Sequence, residues 1–177
     1  MKIAIAGAPG RAGSCITAEL ARRGHSVTGI VRNPDKIAKL PKVAAVKGDA
    51  LDRAELAGLW AGHDAAVSSI HFVASDPEVL IGAARDSHVP RYLVVGGAGS
   101  LEVAPGVRLV TMPSFPAAYK AEAEKGAAFL DRLRQETALN WTFISPSALF
   151  VSGERTGKFR RDRSAADGPG RQELDLV

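Results

Sequence analysis

The sequence predicts an α/β domain whose parallel sheet is covered by helices on both faces, and three observations carry that reading. Short apolar stretches alternate with helix-like stretches along almost the whole chain, the pattern of strands buried on both sides. The first apolar stretch, residues 2–6, runs straight into a turn with glycines at 7, 10 and 13 that opens a helix. The 177 residues contain neither a solenoid-length repeat nor a dividing linker, so they make one domain with room for a sizeable core. The expected arrangement is Rossmann-like: a doubly wound parallel sheet in the order 3-2-1-4-5-6, filling residues 1–152.

Each element has a local reason. Strand one is 2–6, and the helix behind it spans 11–23, ended by Gly24, a residue free to adopt the left-handed conformation that closes helices. Strand two is 26–31, closed by the turn Arg32, Asn33, Pro34 and Asp35; strand three is 43–47, closed by Gly48 and Asp49. Asp52, with Glu55 three residues on, caps a short helix ending at Trp60. Strand four is 65–70. Ser75, Asp76, Pro77 and Glu78 then open a helix that ends near Ser87, with proline in the first turn where its missing N–H costs nothing. Strand five, 91–95, meets Gly96, Gly97, Ala98, Gly99 and Ser100. A loop holding Pro105, Pro113 and Pro116 precedes a helix over 117–136, and strand six is 141–144. Residues 153–177 read as a loop or disordered tail, rich in Gly, Arg, Asp and Ser over 153–171, with only Leu174, Leu176 and Val177 left to pack.

The glycine turn carries the chemistry. A helix that begins immediately after a strand leaves its first amide N–H groups unpaired, and that positive end suits a pyrophosphate. Gly7 permits the tight turn, Gly10 lets backbone approach phosphate with no Cβ in the way, and Gly13 lets helix lie close on strand. Ala8, Pro9, Arg11 and Ala12 complete the loop of a dinucleotide site. Three glycines in a chain rich in alanine and glycine also suit a plain strand-to-helix connection; the flanking strand and helix favour the dinucleotide.

Strand two decides which dinucleotide. The residue beside the adenosine ribose comes about 20 positions past the glycines, where Val31, Arg32 and Asn33 stand and no carboxylate does. A carboxylate would bond both ribose hydroxyls of NAD; the Arg32 guanidinium offers a fork of donors to the 2′-phosphate of NADP, with Arg11 as a second partner. NADP(H) is thus favoured over NAD(H), the alternative for Arg32 being a solvated turn arginine. Asp49 and Ala50 would lie at the adenine edge, although a Gly-Asp turn explains Asp49 as well. The carboxyl ends of the strands should gather Ser69, Ile70 and His71, then Gly96, Gly97 and Ala98, then Pro146, Ser147 and Ala148 around one crevice, with the nicotinamide against the last two groups.

Composition narrows the classes. A net charge of +4, much of it from Arg155, Lys158, Arg160, Arg161, Arg163 and Arg171, is no nucleic-acid stripe, and no metal cluster is expected. No apolar run approaches membrane-spanning length and no signal pattern opens the chain, so a cytoplasmic location is expected. A single cysteine, Cys15, fits a reducing compartment; on the first helix it reads as a small buried hydrophobe. Oligomeric state is left open.

Together, residues 5–13, 31–34, 47–52, 94–102, 116–120, 140–146 and 153–159 make the chain resemble the atypical short-chain dehydrogenase/reductases of the NADH-flavin reductase type, close to NmrA-like and flavin reductase B-like NAD(P)-binding proteins. The resemblance implies a reductase acting on a flavin, quinone or similar small acceptor, or a non-enzymatic NADP(H)-sensing regulator of the NmrA-like type. A cofactor-free remnant is the third reading. Two departures stand out. The Tyr-x-x-x-Lys pair of ordinary short-chain dehydrogenases is absent: Ala123 stands four residues after Tyr119, and Lys120 is its immediate neighbour, about 100° away on a helix. The serine that flavin-reductase-like relatives place after strand five falls near Gly97 and Ala98, which have no hydroxyl. Tyr119, Lys120 and His71 remain the candidate proton-handling groups. The second departure is the end, where similar proteins add another strand and a closing helix and this chain is expected to be shortened, leaving part of the core uncovered.

Overall fold

The computed structural model describes residues 1–151, 153, 161–162 and 172–176. β1 (Lys2–Ala6) leads through the glycine turn to α1 (Arg11–Arg22), and Gly24, at φ +83°, reverses the chain into β2 (Ser26–Val31). β3 (Val43–Lys47) is followed by α2 (Arg53–Trp60), whose first turn is held by the Asp52 carboxylate accepting from the Glu55 N–H at 2.9 Å. The return half of that capping box is not made. Glu55 accepts instead from the Asp49 N–H, tying the end of β3 to α2. β4 (Ala65–Ser68) precedes α3 (Pro77–Asp86), capped by Asp76 on the Glu78 N–H with Pro77 in the first turn. β5 (Tyr92–Val95), the hairpin of β6 (Glu102–Ala104) and β7 (Val107–Arg108), α4 (Ala117–Arg134) and β8 (Trp141–Ser145) follow, then β9 (Arg161–Asp162) and β10 (Gln172–Leu176).

The large sheet runs β3-β2-β1-β4-β5-β8-β10-β9, parallel throughout except for β9. Its first six strands are the expected 3-2-1-4-5-6, the sixth being β8. One face packs against α2, α3 and α4 around Trp60, Tyr92, Phe129, Leu130, Trp141 and Phe143, all buried. Ile3, Ile5, Val27 and Val67 pack on the other face against Ile16 and Leu20 of α1. Tyr92 is fully buried 5.6 Å from Trp60, and burial holds its phenol well above the ordinary tyrosine value.

Three expectations change. Strand four stops at Ser68 rather than residue 70, because the chain turns at Ser69 into the crevice and then into a single 3-10 turn, Phe72–Ala74. The proline loop contains the β6–β7 hairpin, whose Pro105–Gly106 turn places Gly106 at φ +74°. The sheet does not end at its sixth strand: β10 pairs in parallel with β8, and β9 with β10, where a loop or tail was expected. Residues 154–160 and 163–171 of that expected tail lie outside the described residues, as does Val177.

Candidate functional site

The site begins with backbone that no side chain can replace. Gly7 sits at φ +84°, and a Cβ on it would come within 2.3 Å of the Ser69 carbonyl oxygen. A Cβ on Gly13 would come within 2.2 Å of the Gly7 oxygen, so α1 lies directly on the turn. Gly10 differs: its Cβ would stand 3.2 Å from the Gly7 oxygen, a contact relieved by a small shift. The protein itself therefore requires Gly7 and Gly13, while bareness at Gly10 leaves room for something else. α1 has no acidic residue in its first turn, and no side chain among the described residues caps it. α2 and α3 each carry an aspartate cap and a first-turn glutamate. The open amides of α1 suit an anion from outside, and the turn, the open helix end and the bare Gly10 together fit a dinucleotide pyrophosphate.

Two cavities flank this helix end. The smaller, about 420 Å³, is lined by Gly7, Pro9, Arg32, Asp49, Ala50 and Leu51, with Val73 and Ser75 on its far wall. The larger, about 630 Å³, takes Gly10, Arg11 and Ala12 from the turn, Ser69, His71 and Phe72 from the end of β4, and Gly96 and Pro146 from the neighbouring strand ends. Ile70 lines both. Most of the expected cofactor residues thus line one or other of two adjacent cavities, which together form the crevice along the carboxyl ends of the strands.

Several expected residues stand elsewhere. Ala8 and Gly13 are buried beneath the turn and support it. Gly97, Ala98, Ser147 and Ala148 line neither cavity, and the Ser147 hydroxyl donates to the Leu149 carbonyl instead. Arg11 and Arg32 line different cavities, so the pair expected to share one phosphate is split by the turn between them. Asp49 faces the smaller cavity and closes its own turn, accepting from the Leu51 N–H at 3.0 Å. Tyr119 is 68% exposed in the first turn of α4, and neither it nor Lys120 lines either of these two cavities. Cys15 is exposed and lines the larger cavity, not buried as expected, because the buried face of α1 carries Gly13 and Thr17 and Cys15 points the other way.

Glu122 of α4 was not foreseen. Its Oε1 accepts from the Phe72 N–H at 2.8 Å, its Oε2 from the Val73 N–H at 2.9 Å, and His71 Nδ1 stands 3.2 Å from Oε1. Phe150 and Val151, beyond β8, close the larger cavity with apolar surface. No periodicity marks these contacts, which join residues about 50 positions apart. The hydroxyl nearest the expected serine position, Ser100, is buried and spent on Ser145 at 3.0 Å.

Sheet order, glycine turn and crevice define a Rossmann-type α/β protein. The chain belongs to the NAD(P)H-binding family, whose model matches residues 7–172. It is 38% identical over 171 residues to the uncharacterized protein YwnB of Bacillus subtilis (strain 168), covering 92% of this chain and 80% of that protein. A proposed NADH-flavin reductase of Streptococcus pneumoniae TIGR4 superposes with a TM-score of 0.76 at 34% identity, covering 99% of this chain and 87% of that one. A Burkholderia pseudomallei protein proposed to be exported gives 0.81 at 40% identity, covering 99% and 87%. These likenesses agree with the resemblance to atypical short-chain dehydrogenase/reductases. No helix among the described residues is long and apolar enough to cross a membrane.

Proposed function

We propose that the protein is an NADPH-preferring reductase that acts on a flavin, a quinone or a similar planar small acceptor. The observation that carries this reading is the larger cavity: apolar walls from Ile16, Ile70, Phe72, Val95, Ile144 and Phe150 beside the glycine turn, with neither Tyr119 nor Lys120 among them. A bound nicotinamide supplies hydride, and an electron-poor acceptor takes it with protons drawn from water, so the protein's task is to hold the two faces together and exclude solvent. A carbonyl substrate asks more, because its oxygen needs a positioned proton donor. Of the three candidate groups, Tyr119, Lys120 and His71, it is His71 that lines this cavity. Arg32 on the smaller cavity, with no carboxylate at the end of β2, supports NADPH over NADH. The proposed flavin reductase among the similar structures supports the acceptor class. The single cysteine is consistent with work in the cytoplasm.

The deciding measurement is a titration of NADPH and NADH followed by turnover with FMN, riboflavin and quinones. Consumption of NADPH with an acceptor supports the reductase. Tight NADPH binding with no turnover on any acceptor overturns it in favour of a sensor.

A further inference from the structure

We propose that Glu122 is the positioning residue of the dinucleotide site, acting on both cavities by fixing the loop between them. This rests on the crevice being where the dinucleotide lies. The chain from Ser69 to Ser75 is the common wall: Ser69, His71 and Phe72 face the larger cavity and Val73, Ala74 and Ser75 the smaller. Phe72 anchors this wall from below, its ring 5.4 Å from that of Phe129 and set against Gly126 of α4, where a Cβ would come within 2.9 Å of the ring. The ring also meets Phe143, so packing fixes the wall from below, but it gives the Phe72 and Val73 amides no acceptor. Glu122 supplies that acceptor, since its two oxygens take two successive amide N–H groups and His71 Nδ1 stands beside the first. Its side chain is two-thirds buried, and of its contacts the one to the Phe72 N–H is partly buried while those to Val73 and His71 are exposed. α4 thereby sets the wall that the adenosine half of the ligand meets, although Glu122 lines only the larger cavity.

That separation gives the test. Glu122→Gln keeps size and shape but turns an amide N–H₂ toward one of the two backbone donors, and Glu122→Asp withdraws the carboxylate by one methylene. Dissociation constants for NADPH and for 2′,5′-ADP, which holds only the adenosine half, are measured on each by calorimetry, with melting curves of the free protein and with Glu124→Gln as a control on the exposed side of α4. The expected result is a loss of tenfold or more for both ligands in Glu122→Gln and Glu122→Asp, with the Glu124→Gln values unchanged. A loss confined to NADPH means direct contact with the nicotinamide half, and overturns the proposal. So does a lowered melting temperature with both dissociation constants unchanged, which is a purely structural role. Failure of the unaltered protein to bind either ligand overturns the dinucleotide site itself, a result separable from the others.

Discussion

Arg32 and Gly10 test two separate points of the crevice, the smaller cavity and the glycine turn. Arg32→Ala should cost about 1–3 kcal/mol of NADPH affinity, the order of a charge-assisted contact, and leave NADH nearly untouched; equal losses in a paired titration would remove Arg32 from the 2′-phosphate. Gly10→Val should leave the far-UV circular dichroism unchanged and abolish dinucleotide binding followed by cofactor fluorescence. The structure sharpens this expectation, because a Cβ at 3.2 Å from the Gly7 oxygen is tolerable to the fold, whereas at Gly7 or Gly13 the same atom meets backbone at 2.3 or 2.2 Å. Tyr119→Phe should change flavin or quinone turnover by less than about tenfold, against the 10²–10⁴ typical of a lost general acid. A hundredfold drop with binding intact would return Tyr119 to the chemistry and reopen carbonyl reduction.

Among the elements, the β6–β7 hairpin is held by an ion pair, Arg108 to Asp131 of α4 at 2.8 Å, with Arg134 also beside that carboxylate. Hydrogen bonding from Arg108 holds the Asp131 carboxyl below its ordinary value, so protonation favours the unfolded chain. The pair therefore contributes fully above the ordinary aspartate range, and its contribution is lost as pH falls through the lowered value. Melting temperatures of the protein and of Asp131→Asn should differ at neutral pH and converge in acid; a constant difference would mean that the carboxylate's charge plays no part. α1, α2 and α3 were legible because their signals are local: a glycine turn, Asp52 with Glu55, Asp76 with Pro77. The hairpin was not, since its strands have only three and two residues and no alternation to read. Glu122 was hidden for a different reason, because a carboxylate on a polar helix turn looks solvated until the fold brings Phe72 and Val73 against it.

Across the whole molecule the sheet is one continuous layer, and its C-terminal extension has a physical purpose: β10 covers the edge of β8, whose Trp141, Thr142 and Phe143 are buried. Deleting residues 172–176 should leave that edge unpaired, lower the melting temperature and promote self-association seen by size-exclusion chromatography. A monomeric deletion variant with unchanged melting would show that β10 adds nothing to the sheet. The sequence by itself determined the alternation of strands and helices, the order of the first six strands, and the glycine turn whose open helix end suits a phosphate. These follow from near-neighbour chemistry: apolar runs, caps, and backbone positions where a side chain would clash. Only the tertiary structure decided that Arg11 and Arg32 face different cavities, that Cys15 is exposed, that Tyr119 and Lys120 stand outside the crevice, and that Glu122 grips the loop between its halves. Each depends on where a helix or loop is carried by packing with residues distant in the chain, and such placement leaves no mark on the spacing of neighbouring residues.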